Sequence, residues 1–149
     1  MSGDLERADG LYRESIALNE ALGQDKMVNS EYHNLAFCEL GLGHLDEARR
    51  LFAAGRERVF RNGWDDFVPY VCLADAALAS AEGDHARAAL LVGVTDGTFA
   101  VLGQVPDPDD AADLQAVRVA ALEALGPSAF DAEYSRGQNL DPRGAFDDK

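Results

Sequence analysis

Three histidines, two cysteines and a run of aspartates are the side chains in this sequence whose types carry catalysis or bind metals. His33, His44 and His85 supply imidazoles, the groups used for general acid–base work and for zinc ligation. No cysteine or carboxylate stands at a spacing that would hold two of them around one ion, so each reads as a surface or packing histidine. Cys38 and Cys72 lie inside apolar helical patterns rather than in a close pair, which predicts reduced, buried thiols and neither a disulfide nor a zinc site. Asp107, Asp109, Asp110 and Asp113 have the charge to attract a cation. They lack the glycine-centred spacing of a calcium loop, and the start of a helix accounts for them. With no strained nucleophile turn and no glycine-rich phosphate loop, the sequence predicts no catalytic residue, no metal site, no cofactor and no enzyme.

The elements that would position any such residue are marked by glycines. Gly3, Gly43 and Gly83 each open a similar phrase forty residues apart, and Gly23, Gly63 and Gly103 keep the same period. Both ends of one element therefore recur in phase, the signature of a repeat protein. After each of the first set the apolar spacing is helical: Leu5, Ala8, Leu11, Tyr12, Leu18 and Leu22; Leu45, Ala48, Leu51, Phe52 and Val59; Ala88, Leu91, Val92, Phe99 and Leu102. Equivalent helices are predicted over 4–22, 44–62 and 84–102, with Asp4, His44 and Asp84 at the N-cap position and the second glycine set as left-handed stops.

Partner helices are predicted around Tyr32, Leu35, Ala36 and Leu40, and around Val71, Cys72, Ala76 and Ala79, with Pro69 in the first turn of the latter. A further one spans about 109–125, introduced by Asp107-Pro108, with Asp110 at capping-box distance, and stopped by Gly126-Pro127. A shorter helix follows over 128–136. Residues 138–149, whose large apolar anchors are Leu140 and Phe146, are expected to form a short, irregular or frayed tail. The expected fold is all-α: antiparallel helix-hairpin repeats in a right-handed α-solenoid of about six to seven helices, occupying 1–137 as one domain.

The chain has 149 residues, 47% hydrophobic and 27% charged, enough to bury a core. Its net charge of −14 repels a nucleic-acid backbone, and Arg49, Arg50, Arg56, Arg58 and Arg61 spread around a helix axis as a solvated face rather than a basic patch. No apolar run approaches the ~20 residues that span a bilayer, and no signal segment opens the sequence, so no membrane partner and a cytoplasmic location are expected.

The residues Gly3, Leu5, Ala8 and Tyr12, then Gly43, Leu45, Ala48 and Phe52, and more weakly Gly83, Ala88 and Val92, resemble the second helix of the tetratricopeptide repeat, with Tyr32, Leu35 and Ala36 at matching first-helix positions. The period is 40 where that family has 34, which implies longer helices or turns. The string 86–93, followed by Ala124-Leu125-Gly126, Phe130, Tyr134 and Gly137, is similar to the C-terminal repeat arm of large bacterial LuxR-type ATP-dependent transcriptional regulators, without their nucleotide-binding or DNA-binding parts.

These resemblances imply a protein-interaction scaffold in bacterial signalling or transcription control; the alternative is a small-molecule effector sensor that uses the repeat groove. They imply a groove lined by Ser30, His33, Asn34, Phe37, Tyr70, Leu73, Ala77, Leu114 and Val117, taking a basic or amphipathic-helical protein segment. By the same register Gly3 sits in a turn whose preceding helix is lacking. A homodimer through the N-terminal helix, with Leu5, Leu11, Tyr12 and Leu18 at the interface, is therefore expected.

Overall fold

The computed structural model describes the backbone of residues 2–147 and the side chains of 4–145. Among these the fold is all-α, with eight helices and one 3₁₀ turn. The chain divides into two compact units, residues 1–63 and 64–149.

The first unit holds α1 (Ser2–Ala21), α2 (Asp25–Gly41) and α3 (Leu45–Asn62), with α2 packed against both others. Its core comprises Ile16, Val28, Leu35, Ala36, Leu51, Phe52 and Val59, each at most 5% exposed. Gly41 lets α1 approach closely, because a side chain there would meet the Leu5 methyl at 3.0 Å. Gly43 takes the left-handed conformation, φ +84°, that ends one helix and turns the chain into the next. Gly3 does not repeat that role: α1 starts at Ser2 and runs through it, and a glycine adopts the left-handed turn only where a helix has to stop.

The second unit opens with the 3₁₀ turn Asp65–Phe67 and continues with α4 (Val68–Ala81), α5 (His85–Leu102), α6 (Pro108–Leu125), α7 (Pro127–Gln138) and α8 (Pro142–Asp147). Asp84 caps α5 as its position predicts, its carboxylate accepting from the Arg87 N–H at 3.2 Å. Pro69, Pro108 and Pro127 stand in first turns, where the missing N–H is no loss. α5 is apolar nearly all round and is the centre of the unit, with α4, α6, α7 and α8 packed on it. Leu90, Leu91, Val92 and Val94 are at most 2% exposed.

α7 meets α5 through glycine. A Cβ added to Gly93 would lie 2.2 Å from the Tyr134 carbonyl oxygen, and one added to Gly137 would lie 2.0 Å from that of Leu90. The two backbones touch there with no side chain between them.

The irregular tail expected after Gly137 is instead the end of α7, a turn and α8. Ala145 is fully buried, and its carbonyl accepts from the Arg87 guanidinium at 3.2 Å. That guanidinium also lies 3.5 Å from the buried Asp75 carboxylate on α4. A long-range cation contact of this kind leaves no periodic trace in the tail itself. The Phe146 side chain lies outside the described residues.

Candidate functional site

The polar side chains that converge in the first unit do so around Glu39, whose side chain is only 7% exposed. Arg13 of α1 donates to its Oε1 at 3.1 Å, and the His44 ring nitrogen Nδ1 stands 2.6 Å from its Oε2. Arg13 also donates to Asp9 Oδ1 at 2.7 Å and approaches Glu47 at 3.9 Å. Burial works to raise the Asp9 carboxyl, but the Glu39 and Arg13 side chains outweigh it and hold it below its ordinary value. His44, predicted as a helix cap, makes no cap bond and serves this network instead.

In the second unit Asp96 of α5 plays the corresponding part. Its Oδ2 accepts from Arg118 of α6 at 2.9 Å and from the Tyr134 hydroxyl of α7 at 2.6 Å, and Gln138 donates to that hydroxyl at 3.3 Å. Burial, followed by the Asp96 carboxylate, pushes the Tyr134 phenol up. In both units a carboxylate ties three elements together, Glu39 through both oxygens and Asp96 through Oδ2, a use that suits fixing helices rather than turning over a substrate. Sequence reasoning missed both networks, since Arg13 and Glu39, or Asp96 and Tyr134, have no spacing rule that links them.

Among the described residues no three His, Cys, Asp or Glu side chains converge to hold a metal ion. His33 lies in an aromatic cluster, its ring 4.9 Å from that of Phe37, which in turn is 5.2 Å from Phe52. His85 is the first residue of α5. Cys38 and Cys72 are reduced and buried. Burial, with the Asp75 charge behind it, pushes the Cys72 thiol up to about 12, and burial also raises Cys38, so neither is poised as a nucleophile.

The residues expected to line a groove separate by burial. On α2, Asn34 is exposed and Ser30, His33 and Phe37 are half-buried. Tyr70 on α4 is half-buried, edge-on to Phe99 at 5.4 Å. Burial and then the charges of Asp107 and Asp110 push its phenol up, so it stands at the acidic end of its unit. Leu73, Ala77, Leu114 and Val117 are core residues at 0%, 8%, 6% and 5% exposure, so they present little surface in this fold.

The residues expected at an oligomer interface also separate. Leu11 and Leu18 are 58% and 62% exposed, whereas Leu5 seats against Gly41 and Tyr12 is half-buried. Leu22, at 62%, extends the exposed stripe. It was legible as the next residue on that face of the helix but does not figure in the expected interface. Among the other exposed apolar side chains are Val101 at 86%, near the end of α5, and Val105 at 82%, in the link to α6.

No helix among the described residues is long and apolar enough to cross a membrane. Compared with protein-family models, curated proteins and solved structures, the chain matches none.

Proposed function

We propose that this chain is a non-enzymatic protein-interaction module of tetratricopeptide-like helix hairpins, cytoplasmic, acting in bacterial signalling or transcription control. The observation that carries the reading is the kept register. α3 and α5 each have 18 residues, begin forty positions apart after left-handed glycines, and end at Gly63 and Gly103, both at φ +65°. Such units stack to offer surface rather than to build a reaction centre.

The partner is a cationic amphipathic helix. From Ala88 to Val117 the sequence has no lysine, arginine or histidine; Asp96 is already paired with Arg118, and Asp107, Asp109, Asp110 and Asp113 supply the acidic charge. Among the described residues the two most exposed large apolar side chains, Val101 and Val105, fall inside this stretch. An acidic surface with apolar contacts attracts positive charge and repels acidic tails and nucleic acid.

The test is titration with a synthetic lysine–leucine amphipathic helix and with its glutamate–leucine counterpart, followed by calorimetry at two salt concentrations. Binding of the cationic peptide alone, weakened at least fivefold by Val101→Asp with Val105→Asp and reduced by salt, is expected. Equal binding of both peptides, or of neither, rejects the assignment.

A further inference from the structure

The forty-residue register allows the same position to be compared in three helices. Ala48 and Ala88 are fully buried, Leu51 and Leu91 are 3% and 0% exposed, and Phe52 and Val92 are 5% and 0% exposed. Their counterparts on α1 have matching chemistry and a different fate: Ala8 and Tyr12 are half-buried and Leu11 is 58% exposed. Leu18 continues the bare stripe seven residues on, and Leu22, just past the end of α1 with its N–H still donating to the Leu18 carbonyl, extends it four further, which keeps all three leucines on one side.

We propose that this face of α1 binds the same face of a second copy of the chain, with the two helices antiparallel. The stripe is self-complementary in that arrangement. The midpoint between Leu11 and Leu18 falls between Glu14 and Ser15, so an antiparallel copy sets Leu11 beside the other copy's Leu18 and Arg7 beside its Leu22. Arg7 is exposed, and the last turn of α1 has no basic residue of its own, so Arg7 brings a cation to the negative end of the opposing helix. The polar positions of the stripe and its flank, Asp4, Arg7 and Glu14, are of mixed sign, which suits pairing with itself rather than with a uniformly cationic segment. The three leucines expose roughly 300 Å² per copy, the size of the largest apolar patch on a typical monomer, which is often functional. With flanking side chains the pair buries about 1,000 Å², at the lower limit for a specific interface, so the dimer dissociates in the micromolar range or above. This surface differs from the acidic one assigned to a cationic helix, and the two proposals stand or fall separately.

Sedimentation equilibrium of the full chain from about 10 to 500 µM tests it, a range that brackets the dissociation expected of an interface this small. The mass should rise from one copy toward two, and Leu18→Glu should remain a single copy throughout with unchanged helix content, since Leu18 is already in solvent. Direction is read by mixing Leu11→Cys with Leu18→Cys chains under mild oxidation. The two should cross-link to each other at least tenfold faster than either does to itself, because like residues lie ~10 Å apart along antiparallel axes, beyond disulfide reach. Cys38 and Cys72 are buried and do not compete. A chain that stays monomeric over the whole range, a Leu18→Glu variant that dimerises as well as the parent, or preferential self-linking of Leu11→Cys overturns the proposal and leaves the face to a different protein.

Discussion

Replacing Gly93 by alanine should destabilise the second unit, although alanine is the better helix former. Four residues along the same helix, Gly97→Ala should not. A Cβ at 93 would sit 2.2 Å from the Tyr134 carbonyl oxygen and 3.0 Å from its carbon, whereas one at 97 finds nothing nearer than the Gln138 carbonyl oxygen at 3.7 Å, an ordinary contact. Relief at 93 requires α5 and α7 to part by about 1 Å, since the obstacle is backbone and cannot swing away like a side-chain tip. Overpacking costs about 1–3 kcal/mol, and a rigid carbonyl puts this site at the upper end. Alanine returns about 0.5–1 kcal/mol of helix propensity, leaving a net loss of about 2 kcal/mol at 93 and a small gain at 97. For a unit of this size that is a fall of about 8–16 °C in Tm for Gly93→Ala. Thermal unfolding followed by circular dichroism on the parent and both variants provides the measurement. If Gly93→Ala melts within about 2 °C of Gly97→Ala, the direct backbone contact between α5 and α7 is wrong.

Three other outcomes are expected. Tyr134→Phe removes a 2.6 Å hydrogen bond to the Asp96 carboxylate. It should cost about 1–2 kcal/mol in denaturant unfolding, while Arg118→Lys, which keeps the charge but loses the guanidinium donor, should cost less; the reverse order counts against a hydroxyl-centred network. The Asp9 and Glu47 carboxyls are both held below their ordinary values of 3.8 and 4.5. At these two groups the folded state binds fewer protons than the unfolded one in that range, so their contribution is complete above about pH 5 and drains away as pH falls through the folded values. Arg13→Ala should flatten this acid limb, and an unaltered difference in stability between pH 7 and pH 3 would refute it. Finally, a thiol reagent at pH 8 should leave both cysteines unmodified in the folded chain and label Cys38 and Cys72 only as their own units open, because both thiols are buried. Rapid labelling of either one under native conditions contradicts that burial.

The helices were legible because glycine punctuates them. α3 begins at Leu45 and α5 at His85, one residue from expectation, and Asn62 and Leu102 end them before the glycines that the period singles out. What covers each helix was not legible. Leu73 and Leu114 have the spacing of groove-lining residues, but α4 is apolar on every side, and no periodicity within one helix says which neighbour closes it off. The same limit hid the anchoring of α8, which depends on Arg87 in a distant helix. On α1 the pattern alone made Leu5 and Leu11 equivalent, and only the seat against Gly41 separates the inward leucine from the outward one. Networks around Glu39 and Asp96 escaped for a related reason: hydrogen bonds between elements follow the fold, and the fold is what juxtaposes them.

The contact between α5 and α7 also determines how the chain can be cut. A fragment that stopped at Leu125 would keep α5 whole but strip the cover from Gly93 and the Leu90 carbonyl, opening a smooth furrow on a helix with almost no polar side to turn toward water. Such a fragment should clump. It should also be rescued by a detached peptide spanning residues 127–147, since the furrow recognises the bare backbone around Gly137 more than any side chain. In this sense the last two helices act as a removable stopper, and the rest of the second unit, α4 to α6, is the vessel that needs it.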